Sequence, residues 1–326
     1  MRTFLCRLLS ACCLSSASLS SLAADSWQPF PHPQSHFDYP GDALQHAWPK
    51  LTRGFGADYP YPDAAWVMQQ CQSNPQVFST PMTSNRDFNC TPAGSQIYAA
   101  SVQNVWRLLF RGDFAQAKYE GLKLGAAGKI PAMFAQTIYA VYQAPSRASR
   151  HHLLEQVVTY LDESGDFINH DRAAMFARIY AKARLAQGLP IAVVIKRNYT
   201  EQIPQELDAL LLKQAHQPYA LTLYGAYHAG IIDKAGETLG HLSYGASSDH
   251  MEDFFARAFT QNDDLAVSYY EYANALSQVY GASKQQKALT QLKIAAEIKP
   301  LHAIEAFESA RAQAALASLQ LNTAQR

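Results

Sequence analysis

The sequence predicts an all-α protein, a solenoid of helical hairpins behind an irregular N-terminal segment rich in proline and aromatic residues. Three observations carry this reading. From about Ser95 to Leu321 apolar residues recur at spacings of three and four, the period that keeps one helix face on a core. Between Leu221 and Pro300 one helix–turn–helix pattern occurs twice. Met251, Phe255, Ala258 and Asp263 fall against Ala288, Leu292, Ala295 and Pro300, 37 positions on (288 minus 251). The β-branched run Ile191 to Ile195 has no partner run beside it, so it reads as buried helix or linker rather than strand. Repeats of this length build extended surfaces, and such surfaces serve binding.

The second copy is the cleaner one. From Leu265, the residues Tyr269, Tyr272, Ala273, Leu276, Val279 and Tyr280 trace one helical face, Gly281 breaks it, and Ser283 is a candidate N-cap for the next helix. Ala288, Leu289, Leu292, Ala295 and Ala296 mark that helix until Lys299-Pro300 stops it. Alanines at 273, 288 and 295, between bulkier Tyr269, Leu276 and Leu292, let two antiparallel helices approach closely. Here the chain resembles the tetratricopeptide-repeat family, whose second helix is marked by an alanine, a bulky residue, a second alanine and a proline at the spacing of Ala288, Leu292, Ala295 and Pro300. The turn is about three residues longer than the 34-residue norm, and in the first copy Met251 and Asp263 replace the alanine and the proline. GDFAQAKYEGLKLG over 112–125 looks like a further half-repeat, with Ala117 and Gly121 in the small positions. The resemblance implies a TPR-like α-helical repeat domain over 96–326.

The N-terminus speaks to compartment. Arg2 and Arg7 precede an apolar and small run from Leu8 to Leu22, and Leu22-Ala23-Ala24 offers a cleavage site, so residues 1–24 read as a secretory signal peptide and the protein as periplasmic. Leu9-Ser10-Ala11-Cys12 also spells a lipobox, which makes anchoring at Cys12 the alternative to soluble export. With Cys6, Cys12 and Cys13 removed, Cys71 and Cys90 form an even pair without CxxC spacing, and a disulfide is expected. Residues 25–95 hold this pair and an unusual density of Trp, Phe, Tyr and Pro, from Trp27 to Pro62. Prolines there forbid long helices, leaving one short turn from Gly41 to His46. The segment reads as a strap packed along the first helices, with an aromatic ligand groove as the other reading.

Charge excludes some partners. Lys plus Arg and Asp plus Glu number 27 each, which leaves no electrostatic footprint for nucleic acid or an anionic membrane. Nothing in the mature chain is apolar enough to cross a bilayer. Helices are expected from Ile97 through Ala100, Val102, Val105, Leu108 and Leu109 to a turn at Gly112-Asp113, then at about 114–125, 131–143, 147–162, 171–187 and 205–216. A last helix beyond Pro300 should turn Ala303, Phe307, Ala310, Ala314 and Ala317 inward and a polar face outward, as a capping helix does.

The repeat is violated between Tyr219–Gly230 and Ser248, where IIDKAGETLGHLSYGA intervenes. Insertions of this length are functional or disordered, and Ile231, Ile232, Leu239, Leu242 and Tyr244 argue against disorder. The YGAYHAGIIDKAG stretch is similar to one in exported bacterial repeat proteins, a resemblance that implies fold and compartment but no chemistry. Around it lie the candidate ligand- or partner-binding residues Tyr224, Tyr227, His228, Asp233, Lys234, Glu237 and His241, with His250 nearby. Tyr224 and His228 share a helical face, and such a cluster suits a small anion or a partner's chain end; the plainer reading is local hydrogen bonding that holds the insertion. No GxSxG, phosphate loop, GxGxxG or HExxH is present, so catalytic, cofactor and metal residues are not assigned. His151-His152 and His170-Asp171 read as helix starts, and Arg111-Gly112-Asp113 as a turn. The expected function is non-catalytic docking of a protein partner of the cell envelope. The alternative is a small-molecule, organic-anion binder, resembling the T-components of organic-acid transporters as an exported helical repeat.

Overall fold

The structure, a computed structural model, describes residues 27–32, 37–73, 87–165 and 169–324, the side chains of 320–324 excepted. The signal peptide expected over 1–24, with the alternative at Cys12, lies outside them. Among the described residues there is no strand, and no helix is long and apolar enough to cross a membrane.

Two helices stand inside the segment expected to be irregular: α1 (Ala43–Leu51) and α2 (Ala64–Ser73). The turn expected at 41–46 grows into α1 because Leu44, Trp48 and Leu51 fall on one face and bury fully, which outweighs the backbone bond lost at Pro49. Cys71 at the end of α2 is bonded to Cys90. There α3 (Pro92–Arg111) begins, with Thr91 accepting from the Gly94 N–H at 3.1 Å and Pro92 in the first turn. Its buried face is Tyr98, Val102, Val105, Trp106 and Leu109; Ile97 and Ala100 point outward, contrary to the expected stripe.

Next come α4 (Phe114–Leu122) and α5 (Gly125–Tyr142). A Cβ at Gly121 would strike the Gly128 carbonyl, and one at Gly128 the Gly121 carbonyl, so only glycine permits this crossing. α5 therefore starts ahead of Pro131, earlier than expected. α6 (Arg147–Asp162) and α7 (Arg172–Gln187) carry side-chain caps from Ser146 and Asp171. The run at 191–195 is the short helix α8 (Ile191–Lys196), but Ile191 and Ile195 are exposed, so it is not the buried helix expected. α9 (Tyr199–Lys213) runs through Pro204 rather than starting after it.

The second half comprises α10 (Pro218–Ala235), α11 (Glu237–Tyr244), α12 (Ser248–Gln261), α13 (Ala266–Tyr280), α14 (Gln285–Glu297) and α15 (Ala303–Ala324). The matched repeat positions Met251, Phe255, Ala258, Ala288, Leu292 and Ala295 are all buried. Ser283 does not cap α14; its hydroxyl donates back to the Tyr280 carbonyl inside a 3-10 turn. The insertion resolves into the last turns of α10, burying Ile231 and Ile232, and the short α11, bounded by Gly236 and Gly245 at φ of 78° and 65°.

The helices pack in chain order: α3 on α4 and α5, α5 on α6, α6 on α7, α7 on α9, α9 on α10, α10 on α12 and α13, α13 on α14, α14 on α15. α15 then returns to α3. The strap runs over this junction, so it joins the last helix as well as the first ones. Trp27 stacks on Tyr139 at 4.2 Å, Phe30 meets Phe114 at 6.2 Å and Phe307 at 5.1 Å, and the Tyr39 hydroxyl donates to the Leu301 carbonyl at 2.6 Å. Ends held together in this way enclose space between the first and last helices.

Candidate functional site

Three of the expected residues come together. Tyr224, Tyr227 and His228 on α10 line a surface groove of about 670 Å³ with Phe254 and Arg257 of α12. Tyr224 stacks on Phe254 at 4.2 Å and on His228 at 5.2 Å, and its hydroxyl donates to Asp208 at 3.0 Å. His228 is 5% exposed, and its Nδ1 accepts the Ser247 N–H at 3.4 Å. Burial, with His250 beside it at 5.4 Å between ring centres, pushes His228 down to about 4, so the ring is neutral at pH 7 and its proton sits on Nε2.

Tyr227 owes its place to a proline. Pro204 has no N–H, which leaves the Thr200 carbonyl without its helical donor; the Tyr227 hydroxyl donates there instead, at 2.7 Å. Glu237 accepts from Ser248 through both its N–H (2.9 Å) and hydroxyl (2.5 Å), fixing the start of α12, and these bonds hold its carboxyl below the ordinary range. His241 is exposed on α11, away from the groove. Asp233 and Lys234 face a different cavity. His151 packs against Gly188, Asp171 caps α7, and Arg111 pairs with Asp113 in the turn.

That other cavity, about 590 Å³, lies among α7, α8, α9, α10, α13 and α15. Its wall holds three cations, Arg184, Lys234 and Arg311, against two carboxylates, Asp233 and Glu271. Arg184 and Glu271 pair at 2.5 Å. The Arg311 guanidinium lies 4.7 Å from the Tyr142 ring and 5.7 Å from the Tyr270 ring, and no carboxylate among the described residues pairs with it.

Behind the Arg184–Glu271 pair is an inner chamber of about 50 Å³, room for a few water molecules. Phe55, Phe134, Phe176 and Tyr219 supply aromatic walls, and Arg184, Glu271, His302 and Glu308 the polar ones. The sequence reading missed this cluster entirely. Arg53 donates to Asp264 at 2.5 Å and pairs with Glu305 at 2.7 Å, and His302 lies 3.4 Å from Glu305. Glu308, 5% exposed, has no hydrogen bond or ion pair among the described residues. Burial, reinforced by Glu305 and Glu271, holds its carboxyl well above the ordinary range. The sequence offered one signal: the inward Ala303 and Phe307 are interleaved with His302, Glu305 and Glu308, which also face inward, while Ala314 and Ala317 are exposed. The polar face expected outward on α15 is therefore turned in over its first turns. No family model, curated protein or solved structure matches the chain.

Proposed function

We propose that the protein is an exported, non-catalytic, TPR-like binding protein that holds a small organic anion in the cavity between α7, α9, α10, α13 and α15. The observation that carries this is Arg311, a guanidinium held between two tyrosine rings on a cavity wall and paired with no carboxylate among the described residues. Arg presents a planar fork that suits a carboxylate, and Tyr199, Ile203, Leu223 and Ala226 offer the ligand's body an apolar wall. The ring of helical hairpins and the buried repeat positions support the repeat reading, and the disulfide suits an oxidising compartment. The test is a thermal-shift series of linear and aromatic carboxylates on the mature protein and on Arg311→Ala. A ligand at a hundred times its dissociation constant stabilises by about 2.7 kcal/mol. One class of acid should raise the melting temperature of the wild type and leave the variant unmoved; equal responses in both sink the reading.

A second reading, docking of a protein partner of the envelope, draws on α11. Leu239 and Leu242 are 55% and 78% exposed on this short helix. Replacing both by Ser should remove any protein retained from envelope extract while leaving the carboxylate response intact; retention that survives the change counts against docking through α11.

A further inference from the structure

Among the described residues that line the inner chamber, every charged group has a partner except one. Arg184 of α7 is matched by Glu271 of α13; outside the lining, Arg53 is taken up by both Asp264 and Glu305 and leaves no positive charge to spare. Burial pushes His302 down, so it adds no charge. Tyr142 and Tyr219 are pushed well above their ordinary value by burial and stay neutral too. Among the described lining groups Glu308 alone is unmatched: ionised, it gives the lining one negative charge in excess; protonated, it gives none. A chamber of this charge, walled by aromatic faces, is complementary to one monovalent organic cation.

We infer that the chamber seats a primary ammonium group, with the Glu308 carboxylate as its counter-ion and Phe55, Phe134, Phe176 and Tyr219 as the surrounding rings. This deepens the reading of the outer cavity as a ligand site by assigning the ligand's other end. Glu308 and Arg311 stand three residues apart on α15, neighbours on one helix face; the first lines the chamber and the second the outer cavity. A short chain carrying an amine at one end and a carboxylate at the other meets both. Binding is then linked to one proton. The ammonium enters with its proton, Glu308 ionises opposite it, and the Glu308 proton leaves to solvent. Burial above all, then Glu305 and Glu271, opposes that ionisation while Arg184 and Arg53 favour it, and the incoming cation supplies the positive charge that the carboxylate lacks.

The experiment is isothermal titration of the mature protein at neutral pH with butylammonium, 1-butanol, hexanoate and 6-aminohexanoate, in two buffers of different ionisation heat. Saturable butylammonium binding with proton release, absent for 1-butanol, is the expected result. Glu308→Gln should weaken butylammonium on the order of tenfold, about 1.4 kcal/mol. The proton count is taken on the wild type, so it decides the matter even where Glu308→Gln fails to fold. No saturable butylammonium binding, no proton release, or equal affinity in a folded Glu308→Gln overturns the inference. Hexanoate binding that Arg311→Ala removes, beside a silent butylammonium, overturns this inference and leaves the outer anion site standing. Silence from hexanoate with a positive butylammonium result removes the outer site and keeps the chamber.

Discussion

Arg184 and Glu271 meet at 2.5 Å on the wall common to the inner chamber and the outer cavity, each about one-tenth exposed. Their side chains separate 50 Å³ of aromatic interior from a wide opening on the surface. The pair also keeps the chamber's charge in balance, because either partner alone would add a bare charge beside Glu308.

Breaking that pair should cost far more than replacing it. Removing one partner strands a buried charge, at about 3–5 kcal/mol, whereas two apolar residues of similar volume are close to neutral. Arg184→Met is therefore expected to lower the unfolding free energy measured in urea by that amount. The double variant R184M/E271L should return close to wild type. A double variant no better than the single one would mean the pair's worth lies in packing and not in charge.

His228 sets an acid limit on stability. Its folded value of about 4 lies below the ordinary 6.5. Between those values the unfolded chain takes a proton that the folded chain refuses, so stability falls as pH drops through this window, by about 3 kcal/mol at most. His228→Asn keeps an acceptor for the Ser247 N–H and removes the titration. Its urea midpoint should change less between pH 7 and pH 4 than that of the wild type; parallel curves would place the acid sensitivity elsewhere.

The helices were legible because periodicity and caps are local. Ser146, Asp171 and Thr91 cap the helices that follow them, and Met251, Phe255, Ala288 and Leu292 bury as their spacing requires. The chamber was not legible, because Arg184, Glu271 and Glu308 come from three distant elements and make no motif. The stripe on α15 was misread for the same reason: a carboxylate on an inward position looks solvent-facing until its cationic neighbours are known. Tyr227 and His228 were found, but their contacts to Thr200 and Ser247 follow from Pro204 and the α11 turn, which no spacing rule encodes.

The Cys71–Cys90 bond spans 19 residues of sequence. In the chain-entropy account, closing a loop of this size is worth about 3 kcal/mol. C71S/C90S should lose roughly that much in denaturant, and dithiothreitol should bring the wild type to the same midpoint. Because α3 is capped independently by Thr91, far-ultraviolet dichroism of the folded variant should match the wild type. Loss of helix signal at native conditions would show that the disulfide, and not the cap, holds the start of α3.

Gly54 tests how tightly the chamber wall is packed. A Cβ there would clash with the Tyr219 ring, which stacks on Phe176 at 5.4 Å and meets Phe55 edge-on at 5.3 Å. The Gly54 backbone is not left-handed, so alanine meets no torsional penalty and its cost is the clash alone. Overpacking of this kind costs about 1–3 kcal/mol, and the ring has Phe176 behind it, which limits retreat. Gly54→Ala should therefore destabilise by that amount in the wild type. In a Tyr219→Ala background the clash has no partner, and the same substitution should cost less than about 0.5 kcal/mol. The difference between the two costs is the coupling energy of the contact. If Gly54→Ala costs the same in both backgrounds, the penalty arises in the turn's own backbone and Tyr219 is free to yield.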